Sequence, residues 1–204
     1  MSAAYDTDKK IVTLAVTGAS GSIFAAQMLK LLAADERVNH VDFLASESAL
    51  RVLAEELNIA GRNNLIERLL GASCSKIQQH SDADIGANIA SGSYLSSAMI
   101  VLPCSMGTLA GIAHGLASSL IERAADVSLK ERRPLVLCIR ETPFNLIHLR
   151  NMALAAEAGA TIYPVMPTLY DHPQTTEDIA RQFVHRVLAH IGLAQPNAYQ
   201  WHGK

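Results

Sequence analysis

The 204-residue chain is half hydrophobic, carries charge on only 18% of its residues and has a formal net charge of −2. This apolar content supports a substantial core and excludes a disordered chain, and the near-neutral balance gives no general affinity for nucleic acid or anionic membrane. No run reaches the roughly 20 apolar residues that span a bilayer, the N-terminus is polar with no signal core, and Cys74, Cys104 and Cys138 form neither a disulfide framework nor a zinc pattern, so a cytoplasmic location is expected.

Taken in order, Ile11–Val16 is a β-branched apolar run that predicts a buried first strand. A Gly/Ser turn follows, and Ile23, Phe24, Ala26, Met28, Leu29, Leu31 and Leu32 predict a helix. Val41–Ala45 is a second strand, after which Ser46 caps a helix bearing Leu50, Leu53 and Leu57. Residues 58–90 are the least regular third, with a short helix expected at 64–70. Ala98–Leu102 predicts a third strand, ended by Pro103. Helices over 108–117 and 120–130, a strand over 134–139, a helix over 146–158 and a short strand over 161–164 complete the alternation. Thr175 or Thr176 caps a final amphipathic helix that runs to about Ile191, and the tail beyond carries the single tryptophan, Trp201.

Strands alternating with helices predict a mainly parallel, doubly wound sheet in a three-layer α/β/α arrangement. No linker or repeat interrupts it, so one domain is expected over residues 1–204, with a polar extension over 1–10 and a tail over 194–204. Low aromatic content with abundant Ala and Leu favours helix faces buried against copies of the same chain.

Four predicted strands end in polar loops: Thr17-Gly-Ala-Ser-Gly-Ser22, Ser46-Glu-Ser48, Pro103-Cys-Ser-Met-Gly-Thr108 and Arg140-Glu-Thr-Pro143. Open α/β sheets bind ligands beyond the carboxyl ends of their strands. Glycines admit a ligand close to the backbone, and a helix N-terminus offers N–H donors and a positive dipole end, so a phosphate suits the first loop. That loop is neither a G-x-G-x-x-G fingerprint nor a Walker loop, and a tight turn explains it equally well. Ser91-Gly-Ser93 and Ser105-Met-Gly-Thr108 add hydroxyls, each readable alone as a helix cap. Arg123 and Lys130 lie seven apart on one helical stripe, which suits a phosphate, although a solvated face with an Asp126–Lys130 pair is the simpler account. Arg140-Glu141 directly after a buried strand reads as site chemistry or as a structural ion pair, and Tyr170 as a cover for the sheet end. His114, His148 and His185 read as packing or surface residues. Cys104 reads as a buried thiol rather than a nucleophile. No H-E-x-x-H or C-x-x-C indicates a metal.

Thr17-Gly-Ala-Ser-Gly21, Ala90-Ser-Gly-Ser93, Pro103-Cys-Ser-Met-Gly-Thr108, Leu120-Ile-Glu-Arg-Ala-Ala-Asp-Val127, Leu129-Lys-Glu-Arg-Arg133, Arg140-Glu-Thr-Pro143 and His148-Leu-Arg-Asn-Met152 together resemble the UbiX flavin prenyltransferases, from about Ile11 to Leu193. The resemblance implies a flavodoxin-like fold, a homododecamer, and transfer of a dimethylallyl group from dimethylallyl monophosphate to N5 and C6 of reduced FMN. The prenylated FMN then serves UbiD-type decarboxylases, including that of ubiquinone synthesis. By position, the resemblance places Gly18, Ala19, Ser20, Ser46, Ser105, Met106, Gly107, Thr108 and Arg140 at the flavin, with Ser20 and Glu56 near its N5. It places Arg123, Lys130, Tyr170 and Arg186 at the prenyl phosphate and gives Glu141 a proton-exchange role. Many members have Lys where this chain has Gly107, so that position supplies no cation. Trp201 resembles a tail aromatic that closes a neighbouring subunit's site.

The residue types suit that chemistry. Like charges about 4 Å apart repel by about 4 kcal/mol at an effective dielectric of roughly 20, so Arg123, Lys130 and Arg186 gathered together call for an anion between them. Two other readings stand beside it: a flavin-dependent cysteine decarboxylase of the same fold, and a non-enzymatic FMN carrier. No clear counterpart of the decarboxylase histidine and substrate-clamp motifs is present, and a carrier needs only one phosphate site.

Overall fold

Continuous apolar runs build the centre of a six-stranded parallel sheet, and the computed structural model describes it within residues 9–201. Most of the predicted N-terminal extension (residues 1–8) and the end of the tail (202–204) lie outside the described residues. The strands are β1 (Lys10–Val16), β2 (Val38–Ala45), β3 (Ile77–Ser81), β4 (Ala98–Cys104), β5 (Leu135–Ile139) and β6 (Thr161–Ile162), in the order β3-β2-β1-β4-β5-β6. Without the edge strand β3 the order is that of a flavodoxin-like sheet; with it, the order is that of the dinucleotide-binding doubly wound fold. Either way, the order reverses between β1 and β4.

Alternate residues of each strand face opposite sides. Val12, Leu14 and Val16 of β1, with Ile100 and Leu102 of β4, pack under one set of helices: α1 (Ser22–Ala34), α2 (Glu47–Leu57), α3 (Leu65–Leu70) and α7 (Thr176–His190). Met99 and Val101 of β4, with Leu135 and Leu137 of β5, pack under α4 (Met106–Ala113), α5 (Leu120–Lys130) and α6 (Leu146–Glu157). Side-chain oxygens of Ser46, Ser105, Ser119, Asn145 and Thr175 cap α2, α4, α5, α6 and α7.

Two expectations need correction. β3 was not foreseen, because Ile77-Gln-Gln-His-Ser81 buries only His80 and lies at the sheet edge. Pro103 does not end its strand: β4 continues to Cys104, and the β4–β5 register shifts between Val101 and Cys104. Proline lacks an N–H and is tolerated at such an irregularity. Its carbonyl instead accepts the Thr17 N–H at 3.1 Å and the Thr17 hydroxyl at 2.9 Å. The tail is tied down by Arg37, which donates to the Ala194 carbonyl, and by Gln195, which donates to Asp35. It then brings Tyr199 and Trp201 against Tyr170, with ring centroids 6.3 and 5.5 Å away.

Candidate functional site at the carboxyl edge of the sheet

All four polar strand ends meet at one edge, and hydrogen bonds fasten them side by side. The buried Thr17 hydroxyl accepts from the Ser105 N–H at 2.8 Å, which joins the loops after β1 and β4 across the point where the strand order reverses. Ser46 N–H donates to Val16 O, and Arg140 N–H donates to Cys104 O. Gly18, Ser46, Ser105 and Arg140 therefore share one rim. At Gly18 a Cβ would collide with the Ser48 side chain, so the loop passes close against the start of α2 only because glycine occupies that position. Ser46 and Ser48 hydroxyls lie 3.0 Å apart, and Ser105 and Thr108 hydroxyls 3.1 Å apart. Among the described residues nothing stands within 4 Å of where a Gly107 side chain would begin, which leaves the first turn of α4 open beside them. Arg140 is exposed, and among the described residues no ion pair involves it. Glu141 is also exposed and accepts the Thr142 N–H at 2.9 Å, so the two do not form the structural ion pair that was one reading.

The first helix terminus differs from expectation. Its donors are not vacant: the Glu56 carboxylate accepts Gly21 N–H at 3.0 Å and Ser22 N–H at 2.7 Å. Burial raises the Glu56 pKa, but bonds from the Ser20 hydroxyl and from the Ser22 and Gly21 N–H groups outweigh that, and the net direction is down. Ser20, Glu56, Phe24 and Thr176 line a cleft of about 440 Å³. A ligand reaching this terminus meets an ionised carboxylate where the sequence suggested free donors. Cys104 is fully buried and its thiol is pushed up to about 12 by desolvation, which removes it as a nucleophile.

The predicted cations are not gathered within one chain. Arg123 and Lys130 lie on α5, whereas Arg186 lies on α7, across the sheet. Arg123 pairs with Asp126 at 2.6 Å and donates to the Ala90 carbonyl at 3.0 Å, while Lys130 pairs with Glu131, so the expected Asp126–Lys130 pair is replaced by two others. Ser91-Gly-Ser93 lies away from the first loop as well. It precedes β4, at the amino edge, where Arg133 donates to the Gly92 and Tyr94 carbonyls at 2.7 and 2.6 Å. A Cβ on Gly92 would fall on the Lys130 and Glu131 head groups. Arg186 and Tyr170 are exposed.

Sequence reasoning missed a buried polar cluster around Asp42, which bonds His80, His40 and Tyr94. An aspartate inside the apolar run Val41-Asp-Phe-Leu-Ala45 was the available signal.

A site of hydroxyls, close-approach glycines and an exposed arginine, at the reversal point of a doubly wound parallel sheet, defines a nucleotide-type ligand-binding α/β protein. The Flavoprotein family model matches residues 1–188, and the chain belongs to that family. It is 40% identical over 195 residues to the flavin prenyltransferase UbiX of Alkalihalophilus pseudofirmus, covering 95% of this chain and 96% of the relative. Among solved structures, it resembles AnUbiX (PadA1) in complex with FMN and dimethylallyl pyrophosphate, with TM-score 0.85 and 36% identity over 96% of this chain and 99% of that one. It also resembles a dodecameric FMN-dependent UbiX-like decarboxylase from Escherichia coli O157:H7, with TM-score 0.83 and 39% identity over 95% of this chain and 100% of that one. The FMN-dependent cysteine decarboxylase TvaF shares the fold alone, at TM-score 0.58 and 15% identity over 74% of this chain and 88% of that one.

Proposed function

We propose that this chain is a flavin prenyltransferase that transfers a dimethylallyl group from dimethylallyl monophosphate to N5 and C6 of reduced FMN, for use by a UbiD-type decarboxylase. The observation that carries the reading is Arg140, exposed among paired hydroxyls at the carboxyl edge, in a chain alike along 96% of its length to a protein solved with FMN and a prenyl phosphate. Bound reduced FMN supplies an electron-rich ring that accepts the five-carbon unit. Arg140 pairs with the flavin; Ser46, Ser105 and Thr108 offer hydroxyls to it, and Gly18, Ala19, Met106 and Gly107 line its approach. Ser20 and Glu56 sit near the reacting nitrogen, where the ionised Glu56 acts as an acceptor. As the allylic C–O bond breaks, phosphate departs with the electron pair, and cations placed in advance stabilise it. Glu141 would exchange a proton with the reacting centre or with the departing phosphate.

Arg123 and Lys130 lie across the sheet from Arg186, so the donor site is completed between chains. Arg123, Lys130 and the Ser91–Ser93 loop come from one protomer, and Arg140, Tyr170 and Arg186 from another, in a homododecamer of one-domain chains located in the cytoplasm. No described helix is long and apolar enough to cross a membrane.

The test is the mass of the flavin after anaerobic incubation with reduced FMN and dimethylallyl monophosphate. A gain of one five-carbon unit supports the reading. Unchanged FMN, with both ligands bound, points instead to a cysteine decarboxylase or a carrier.

A further inference from the structure

Asp42 lies at the middle of β2 and is fully buried, yet among the described residues no Lys or Arg pairs with it. Its Oδ1 meets His80 Nε2 at 2.8 Å and His40 Nε2 at 3.3 Å, and its Oδ2 accepts the Tyr94 hydroxyl at 2.8 Å. His40 and His80 belong to the sheet, on β2 and β3. Tyr94 does not: it closes the Ser91–Ser93 loop, whose Gly92 backbone presses on Lys130. Arg123 and Arg133 also hold this stretch, but by bonds to the backbone carbonyls of Ala90, Gly92 and Tyr94 from long, half-buried side chains. The Tyr94–Asp42 bond joins the loop by a side chain to the interior of the sheet, while Ser96 and Ser97, nearer β4, bond to Thr13 and Ile11 of β1. A hydroxyl bonded to an ionised carboxylate is among the stronger hydrogen bonds, and the carboxylate here is fully buried.

We propose that Asp42 is a positioning residue for the prenyl-phosphate half of the site: through Tyr94 it fixes the Ser91–Ser93 loop against Lys130. The inference rests on the prenyltransferase reading for its kinetic consequence, but not for the tether itself. Asp42 touches neither substrate, and the flavin loops lie at the opposite edge of the sheet, so the tether governs donor binding and leaves flavin binding alone. The two histidines hold the carboxylate in one orientation, which makes the anchor rigid.

Tyr94→Phe keeps the ring and removes only the hydroxyl; Asp42→Asn keeps the shape and removes the charge. In the full-length oligomer with reduced FMN, KM for dimethylallyl monophosphate is expected to rise about tenfold in both variants, equivalent to about 1.4 kcal/mol. Turnover at saturating donor and FMN affinity are expected to stay within about twofold, and amide exchange to accelerate across residues 91–97. An unchanged KM, or equal losses in donor and flavin affinity, overturns the proposal. If the unsubstituted protein fails to prenylate FMN, the function reading falls and amide exchange in Tyr94→Phe decides the tether. Faster exchange confined to 91–97 supports it, and unchanged protection overturns it.

Discussion

Glu56, in the last turn of α2, accepts the Ser22 N–H at the first position of α1 at 2.7 Å, so one helix supplies the anion that the other's N-terminus attracts. A carboxylate in that position stabilises the helix through its dipole and satisfies donors otherwise left open. Glu56→Gln keeps one acceptor oxygen and loses the charge. Because Glu56 is exposed, solvent screening limits the cost, and a loss of about 0.5–1 kcal/mol is expected. Thermal unfolding at neutral pH checks this, with a melting temperature lower by roughly 1–4 °C in a chain of this size.

The same pairing gives stability a pH dependence. Burial pushes the Asp42 carboxyl up, but hydrogen bonds from His40, His80 and Tyr94 bring it below its ordinary value, and Glu56 is lowered for the reasons above. Carboxylates with depressed folded pKa values stabilise the fold above their unfolded values of about 3.9 and 4.3, and that stability is lost as pH falls through the folded values. The melting temperature is expected to hold from neutrality to about pH 5 and to fall below it. Asp42→Asn and Glu56→Gln should each flatten the acid limb. A steepening in either variant would contradict the assigned direction.

Much of this was legible beforehand because buried parallel strands read as unbroken apolar runs, and charge or glycine at their ends stands out. Ser46, Ser105 and Arg140 share an edge because each follows a strand, and order along the chain is enough to place them there. Ser91–Ser93 has the same composition but precedes its strand, and a parallel sheet puts it at the other edge. Face is harder to read than edge. Arg123 and Arg186 both lie on amphipathic helices, and nothing local says that α5 and α7 cover opposite sides. β3 escaped because an edge strand that buries little beyond His80 has no apolar signature.

At Gly18 the constraint is steric. A methyl group there meets Ser48, and strain from overpacking costs typically about 1–3 kcal/mol unless the backbone yields. Gly18→Ala should therefore lower both stability and FMN affinity, as the loop moves off the rim. Adding Ser48→Gly makes room and should recover most of the loss. Calorimetric FMN titration of the single and double variants checks this, and no recovery would mean that Gly18 matters for something other than its contact with α2.

Arg140 and Glu141 are adjacent but should separate cleanly in kinetics. Removing a charged hydrogen bond costs about 1.5–3 kcal/mol, so Arg140→Ala should weaken FMN binding by roughly ten- to a hundredfold. Glu141→Gln should leave FMN bound and lower the rate of prenylation by about a hundredfold or more, the usual scale of acid–base assistance. Flavin titration beside single-turnover mass spectrometry distinguishes them. Near-normal turnover in Glu141→Gln would remove its proton role.

The placement of cations on opposite faces leads to the most direct test of a shared site. In the proposed donor site, Lys130→Ala removes a cation from α5 and Arg186→Ala removes one from α7; on that proposal each homogeneous variant should be nearly inactive with FMN still bound. If one site takes Lys130 from one protomer and Arg186 from its neighbour, mixed oligomers contain sites with both residues intact. Random mixing at equal ratio should restore roughly a quarter of the sites, because the heterologous contact draws each half independently. If both residues served a site within their own chain, every site would keep a defect and mixing would restore nothing. Co-expression of the two variants with separate tags, tandem purification and assay of prenylated flavin measures the difference, with dissociated and remixed wild-type protein as the reference for assembly.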